Sequence, residues 1–215
     1  MISSHNPSAG SGQETERRLL EAAGEVFAER GFRTATIREI CQRAGVNVAA
    51  VSYHFRNKEG LYLALLKSAS APALKKYPTT LGLSDNPTSE ERLHAFVRSL
   101  LLRISDKGRP AWHAKLLAHE LAEPTEALDG LIDEVYRPLI LQLNAIVRDL
   151  SGGDATEETI RLFTRSILGQ CLYYHHARPV IARMTPNEQF EPDDIERLAR
   201  HITQFSLAGI RQATV

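Results

Sequence analysis

Residues 32–62 read FRTATIREICQRAGVNVAAVSYHFRNKEGLY, three short helical segments parted by two turns. Thr36-Ile37-Arg38-Glu39 has the form of a capping box, in which the Thr36 hydroxyl accepts from the Glu39 amide while the Glu39 carboxylate reaches back to the cap. A short helix is therefore expected from Ile37. Ala44-Gly45-Val46 should stop it, because glycine enters the left-handed conformation of a tight turn without a Cβ penalty. Asn47 then offers an N-cap to a helix over 48–55, and Asn57 to one that starts at Lys58 and carries Leu61, Leu65 and Leu66. A short capped helix, a glycine turn and a second short helix describe a helix-turn-helix, which lays its second helix in the major groove of DNA. Three helices of an ordinary bundle have the same apolar spacing, so the spacing alone leaves that alternative open.

Before this stretch, Leu19, Ala23, Val26 and Phe27 recur at helical spacing among Glu16, Arg17, Glu21 and Glu25, and Gly31 stands where a C-terminal glycine belongs. Residues 1–12, rich in Ser, Gly, Asn and Pro without periodicity, read as a disordered arm. After it, Pro72, Pro78, Gly82 and Pro87 break the pattern, so 72–88 reads as a hinge. Helical spacing then resumes. Leu93, Phe96, Val97, Leu100 and Ile104 share a face, a segment covers 112–121, and Pro124 opens a helix toward Leu150. In that helix Leu139, Ile140, Leu141, Leu143, Ile146 and Val147 surround most of the circumference, which predicts a central position in its domain. Ser151-Gly152-Gly153-Asp154 stops it, and further helices are expected over 155–177 and 193–211. No convincing strand appears, and the fold class is all-α with about nine helices.

The chain of 215 residues carries 26 Lys+Arg against 26 Asp+Glu, is 43% hydrophobic and has two cysteines. That suits one or two soluble globular domains. No apolar run is long enough to span a bilayer, and the start MISSHNPSAGSGQETE lacks the apolar core of a secretory signal. Cys41 and Cys171 stand far apart with no Cys-x-x-Cys pairing, which excludes a disulfide framework and a cysteine zinc site; a reducing cytoplasm is the expected location. Net charge is zero, yet residues 33–67 hold six bases (Arg33, Arg38, Arg43, Arg56, Lys58, Lys67) and two acids (Glu39, Glu59). The basic excess coincides with the helix-turn-helix pattern.

The whole segment resembles the DNA-binding part of TetR-family transcriptional regulators, in its Thr-Ile-x-x-Ile opening, Ala-Gly-Val turn, Tyr-x-Phe end and Asn-Lys-Glu-x-Leu start of the next helix. The resemblance implies a DNA-binding domain over 13–71 and a ligand-binding and dimerisation domain over 89–215. It also implies roles. Thr36, at a helix N-terminus, suits a backbone phosphate; Tyr53 and Lys58 resemble the family's phosphate contacts; His54 occupies a position that touches phosphate or packs at the groove edge. Asn47 caps the recognition helix, and Val48, Ala49, Ala50 and Ser52 would face bases. Val48-Ala49-Ala50 lacks hydrogen-bonding groups, so readout should lean on thymine methyls, Ser52, Arg38 and DNA shape. Val51 is assigned to packing.

In the C-terminal half, Glu120-Leu121-Ala122-Glu123-Pro124, Tyr136-Arg137-Pro138-Leu139 and Ile167-Leu168-Gly169-Gln170-Cys171-Leu172 resemble the C-terminal domain of the CecR-type (CerR-type) subgroup. The family's four-helix dimer interface maps to 155–177 and 193–211, with Ile160, Phe163, Ile167, Leu168, Cys171, Ile202 and Phe205 as candidates; the same stripe could equally be intramolecular core. A small-molecule pocket is expected among the C-terminal helices, with Trp112, His113, Leu116, His119, Tyr136 and Tyr173 as candidates.

An enzyme finds no support. His119-Glu120 begins a zinc-protease string, but the second histidine is replaced by Glu123, and no phosphate loop, nucleophile elbow or dinucleotide fingerprint occurs. No cofactor and no metal are expected. A helical small-molecule-binding or partner-binding protein without operator binding is the other reading; it should lack Tyr53, Lys58 or the Ala-Gly-Val turn, and all three are intact. The expectation is a homodimeric repressor, released from palindromic duplex DNA by a small-molecule effector, with no membrane partner.

Overall fold

The structure, a computed structural model, describes residues 7–106, 111–153, 155–185 and 191–213. Among them every regular element is helical: α1 (Pro7–Thr34), α2 (Ile37–Ala44), α3 (Ala49–Phe55), α4 (Lys58–Lys76), α5 (Ser89–Ser105), α6 (Ala111–Ala122), α7 (Ala127–Leu131), α8 (Arg137–Leu150), α9 (Glu157–His176), α10 (Arg178–Met184) and α11 (Pro192–Ala213). A π-helical turn, Ile132–Tyr136, joins α7 to α8. The sequence pattern does not separate α7 from α8 and expects no helix over 178–184, where α10 stands; without these two, nine helices remain among the described residues. The all-α class is therefore observed.

The chain divides into two compact units. The first holds Met1–Ala71 with Arg109–Val135, and the second Pro72–Gly108 with Tyr136–Val215. Helices α6 and α7 thus group with the helix-turn-helix, whereas the sequence division put them with the C-terminal helices. In the first unit Leu19, Ala23, Val26 and Phe27 of α1, Ile40, Cys41 and Ala44 of α2, Val51 and Phe55 of α3, and Leu61, Tyr62 and Leu65 of α4 are all buried, with the Phe27 and Tyr62 rings edge-on at 4.9 Å. Each fully buried large side chain contributes about 1.5–3 kcal/mol to holding these short helices together. Gly24 admits the Trp112 ring: a Cβ there would stand 2.3 Å from the indole. In the second unit Leu93, Phe96, Val97 and Leu101 of α5 pack with Leu143, Ile146 and Val147 of α8, Ile160, Ile167 and Cys171 of α9, and Ile195, Ala199, Ile202 and Ile210 of α11.

Four expectations are corrected. Helix α1 begins at Pro7, inside the stretch read as an arm, and proline suits a first helical turn; residues 1–6 lie outside the described residues. Helix α4 runs through Pro72 to Lys76 instead of ending before it. Proline removes only one donor, and the chain beyond is tied down: Ser99 Oγ donates to the Tyr77 carbonyl (2.6 Å) and Thr79 Oγ1 to Gln142 Oε1 (2.9 Å). The Glu39 carboxylate pairs with Arg30 at 2.8 Å, so the Thr36 box is half-formed; the complete box is at Thr88 and Glu91, where α5 starts. Finally, α8 is not enclosed on all sides: Leu141 is 59% exposed and Ile140 is exposed too, while Leu143, Ile146 and Val147 face the core.

Candidate nucleic-acid interface

The turn between α2 and α3 is built from backbone hydrogen bonds. Gly45 takes φ 64° and ψ 39°, its N–H donates to the Gln42 carbonyl (3.2 Å), and the Val46 N–H donates to the Cys41 carbonyl (3.0 Å). The Arg18 guanidinium of α1 donates to the carbonyls of Ala44 and Gly45, fastening the turn to the long helix. The Thr36 hydroxyl accepts from the Glu39 N–H (3.2 Å). Asn47 Oδ1 accepts from the Ala49 N–H (2.9 Å), capping α3 as its position in the sequence suggests.

Helix α3 is seven residues long and has two unlike faces. Val51 (2% exposed) and Phe55 turn to the core, while Asn47, Val48 (48%), Ala49, Ser52 and Tyr53 (84%) stand open, with Ala50 half-buried between the faces. A tyrosine exposed to that degree gives up the burial its ring would gain in a core. His54 is half-buried, its ring edge-on to Tyr53 at 4.9 Å and close to Gly12 of α1. Beyond α3, the Asn57 N–H donates to the Phe55 carbonyl (2.9 Å), and Arg56 between them takes φ 70° and ψ −54°, a γ-turn that costs backbone energy in a side-chain-bearing residue. Asn57 Oδ1 then accepts from the Gly60 N–H (2.8 Å) and starts α4.

Lys58 lies 4.6 Å above the Phe32 ring and donates to the Arg33 carbonyl (3.3 Å). One of its three donors is thereby spent on holding the side chain beside the α1–α2 connection. Of the six bases in the basic segment, two are neutralised within the unit: Arg43 pairs with Glu25 (3.4 Å) and Glu29 (3.1 Å), and Lys67 with Glu134. Arg33, Arg38 and Arg56 remain exposed. Arg56, with its unusual backbone at the end of α3, was not among the sequence candidates; its place directly after the Tyr-x-Phe end was the available signal.

The ligand candidates do not form one group within either unit. In the first unit Trp112 packs on Gly24, Leu116 is buried and His119 is exposed; the His113 side chain lies outside the described residues. In the second unit Tyr136 is half-buried at the end of the π-helical turn, and Tyr173 is exposed, edge-on to Tyr174 at 5.7 Å. The glycine at position 24, inside the apolar stripe of α1, was the sequence signal that a bulky ring approaches there. The dimer candidates divide as well. Ile160, Ile167, Cys171 and Ile202 are spent in the core of their own unit, Phe163 and Leu168 are partly buried against it, and Phe205 is 64% exposed. Leu162, Leu172 and Tyr173 are the exposed apolar residues of α9. Among the described residues no cluster could hold a metal ion, and no helix is long and apolar enough to cross a membrane.

Comparison with known proteins matches two segments of the chain. Residues 89–210 match the family described as the C-terminal domain of the HTH-type transcriptional dual regulator CecR, and residues 19–65 match the bacterial regulatory proteins of the tetR family. The chain is 26% identical over 223 residues to the HTH-type transcriptional dual regulator CecR of Shigella flexneri, covering 95% of this chain and 96% of that protein. It is 30% identical over 145 residues to the HTH-type transcriptional regulator BetI of Escherichia coli, covering 62% of this chain and 74% of that protein. A solved structure of a transcriptional regulator from Pseudomonas aeruginosa PAO1 superposes over 93% of both chains with a TM-score of 0.68 at 17% identity, a likeness of fold.

Proposed function

The chain belongs to the TetR family of bacterial regulatory proteins, DNA-binding transcriptional regulators, and carries a CecR-type C-terminal domain; on that premise we propose that it is a homodimeric repressor released from a palindromic operator by a small molecule. The observation that carries the reading is the split of α3, with Val51 and Phe55 buried and Val48, Ala49, Ser52 and Tyr53 open between two capped turns. In a dimer two such helices enter successive major grooves about 34–36 Å apart. Thr36, Tyr53 and Lys58 hold backbone phosphates, with His54 at the groove edge. Val48, Ala49 and Ala50 touch thymine methyls, Ser52 and Arg38 add hydrogen bonds, and Asn47 fixes the start of the helix.

The exposed apolar residues of α9 and α11 support a subunit contact that uses Phe205, with Phe163 and Leu168 at its margin. Release requires an effector that binds the DNA-incompetent dimer more tightly than the competent one. Moving the population from mostly bound to mostly free takes on the order of 5 kcal/mol of differential affinity. Fluorescence anisotropy on a selected duplex tests the interface. Tyr53→Ala and Lys58→Ala should weaken binding about equally on cognate and unrelated duplexes, and loss of Lys58 should lower the salt slope by roughly one. Wild-type affinity and slope in both variants would overturn the phosphate assignments.

A further inference from the structure

A cavity of about 400 Å³ opens in the first unit, lined by the end of α1, by Tyr62 of α4 and by the end of α6. Its most enclosed lining residues are Glu120, 1% exposed, and Tyr62. The Glu120 carboxylate accepts from the Thr125 N–H (2.8 Å) and the Thr125 hydroxyl (3.0 Å), and its charge helps burial to hold the Tyr62 phenol above its usual range. Every one of these donors is neutral. A carboxylate offers about four lone-pair positions, so these two donors leave positions open. No cation is paired with this buried carboxylate among the described residues, and the cavity beside it leaves room for one to arrive.

The other charges lining the cavity do not fill that role. Glu29 is paired with Arg43 (3.1 Å) and Arg30 with Glu39 (2.8 Å), while Arg33, His119 and Glu123 are exposed to solvent. The walls are suited to a cation as well. Phe32 and Tyr62 lie 4.8 Å apart in the lining, and Phe32 already accepts one ammonium group, Lys58 Nζ at 4.6 Å from its centroid.

We infer that this cavity binds a small organic ammonium ion, its N–H groups on the open positions of Glu120 and its hydrocarbon part against Phe32 and Tyr62. The end of α6 that lines it, with the candidate His119, lies within residues 89–210 of the C-terminal match, so the inference deepens the effector reading and does not depend on the operator reading. Its wall includes Phe32 and Arg33, the two residues that hold Lys58.

Ligand-observed saturation-transfer NMR on the full chain, without DNA, tests the site with three probes of one shape: cyclohexylammonium, cyclohexanol and cyclohexanecarboxylate. The ammonium ion should bind in the millimolar range, and the alcohol and carboxylate roughly tenfold more weakly or not at all. Glu120→Gln, which keeps the shape and removes the charge, should cost the ammonium ion roughly tenfold in affinity. Glu123→Gln, an exposed change that leaves the core untouched, should weaken it two- to threefold and decides the matter if the Glu120 variant does not fold. Equal binding of the three probes, no binding of the ammonium ion, or unchanged affinity in the folded variants would overturn the inference.

Discussion

The carbonyl oxygen of Phe55 lies 2.0 Å from the position a Cβ would occupy on Gly60, so the last residue of α3 and the first turn of α4 meet as bare backbone. The same carbonyl accepts from the Asn57 N–H (2.9 Å), which sets the exit angle of the recognition helix. Gly60→Ala must open that turn. An expected cost of about 1–3 kcal/mol in stability should appear in thermal melts, together with a loss of operator affinity larger than the melt alone explains. A variant that melts and binds like wild type would show that the turn has slack.

Arg56 stores strain at the same corner, with φ 70° in a residue that bears a side chain. Arg56→Gly should stabilise the protein by about 1 kcal/mol, since glycine adopts this conformation freely. The variant should nevertheless bind duplex DNA less tightly, because an exposed cation is lost beside Tyr53 and Lys58. Stability and affinity moving in opposite directions, read by melting and anisotropy, is the expected signature.

Phe205 and Ile202 lie three residues apart on α11 with opposite fates, 64% and 0% exposed. Phe205→Glu should leave circular dichroism intact and shift the protein toward monomer in sedimentation velocity. Ile202→Glu should lower the melting temperature sharply at any association state, because it buries an unpaired charge. Equal behaviour of the two would contradict a subunit contact at this face.

Both thiols are buried. Burial raises the Cys41 thiol above its usual range and pushes Cys171 up to about 12. Neither should react with iodoacetamide at neutral pH until the protein unfolds. The sign of the pH effect follows. Between the ordinary thiol value of 9.0 and about 12 the unfolded state releases the Cys171 proton while the folded state keeps it, so stability falls as pH rises. The slope approaches about 1.4 kcal/mol per pH unit at most, from this group alone. Tyr62, raised by burial and by the Glu120 carboxylate, adds loss in the same direction at higher pH. Cys171→Ala should flatten the alkaline limb between pH 9 and 11 when melting temperature is followed against pH.

What was legible in the sequence were the features decided by neighbours in the chain. Asn47, Gly45 and Asn57 act through hydrogen bonds spanning two to four residues, and each is found doing so. The α1 stripe of Leu19, Ala23, Val26 and Phe27 was equally readable, because helical spacing marks a buried face. What the sequence leaves open are choices settled by another helix. Glu39 had two possible partners, and Arg30 of α1 prevailed over the Thr36 amide. The spacing around Trp112 does not name its neighbour, which is Gly24, 88 positions earlier. Ile160, Ile167, Cys171 and Ile202 have the periodicity of an interface, but so does a core stripe, and they are buried inside their own unit. Periodicity names a face without naming what covers it.

The central claim is that the open face of α3, carried twice in a dimer, reads a two-fold-symmetric duplex. Selection from a random duplex library with the full-length protein at about 150 mM salt, followed by sequencing, tests it most directly. The account predicts a palindrome whose half-sites lie about one helical turn apart, lost from the selection when Tyr53→Ala or Lys58→Ala replaces the wild type. Recovery of no shared motif by a folded, dimeric protein, or of the same motif by both variants, would contradict it.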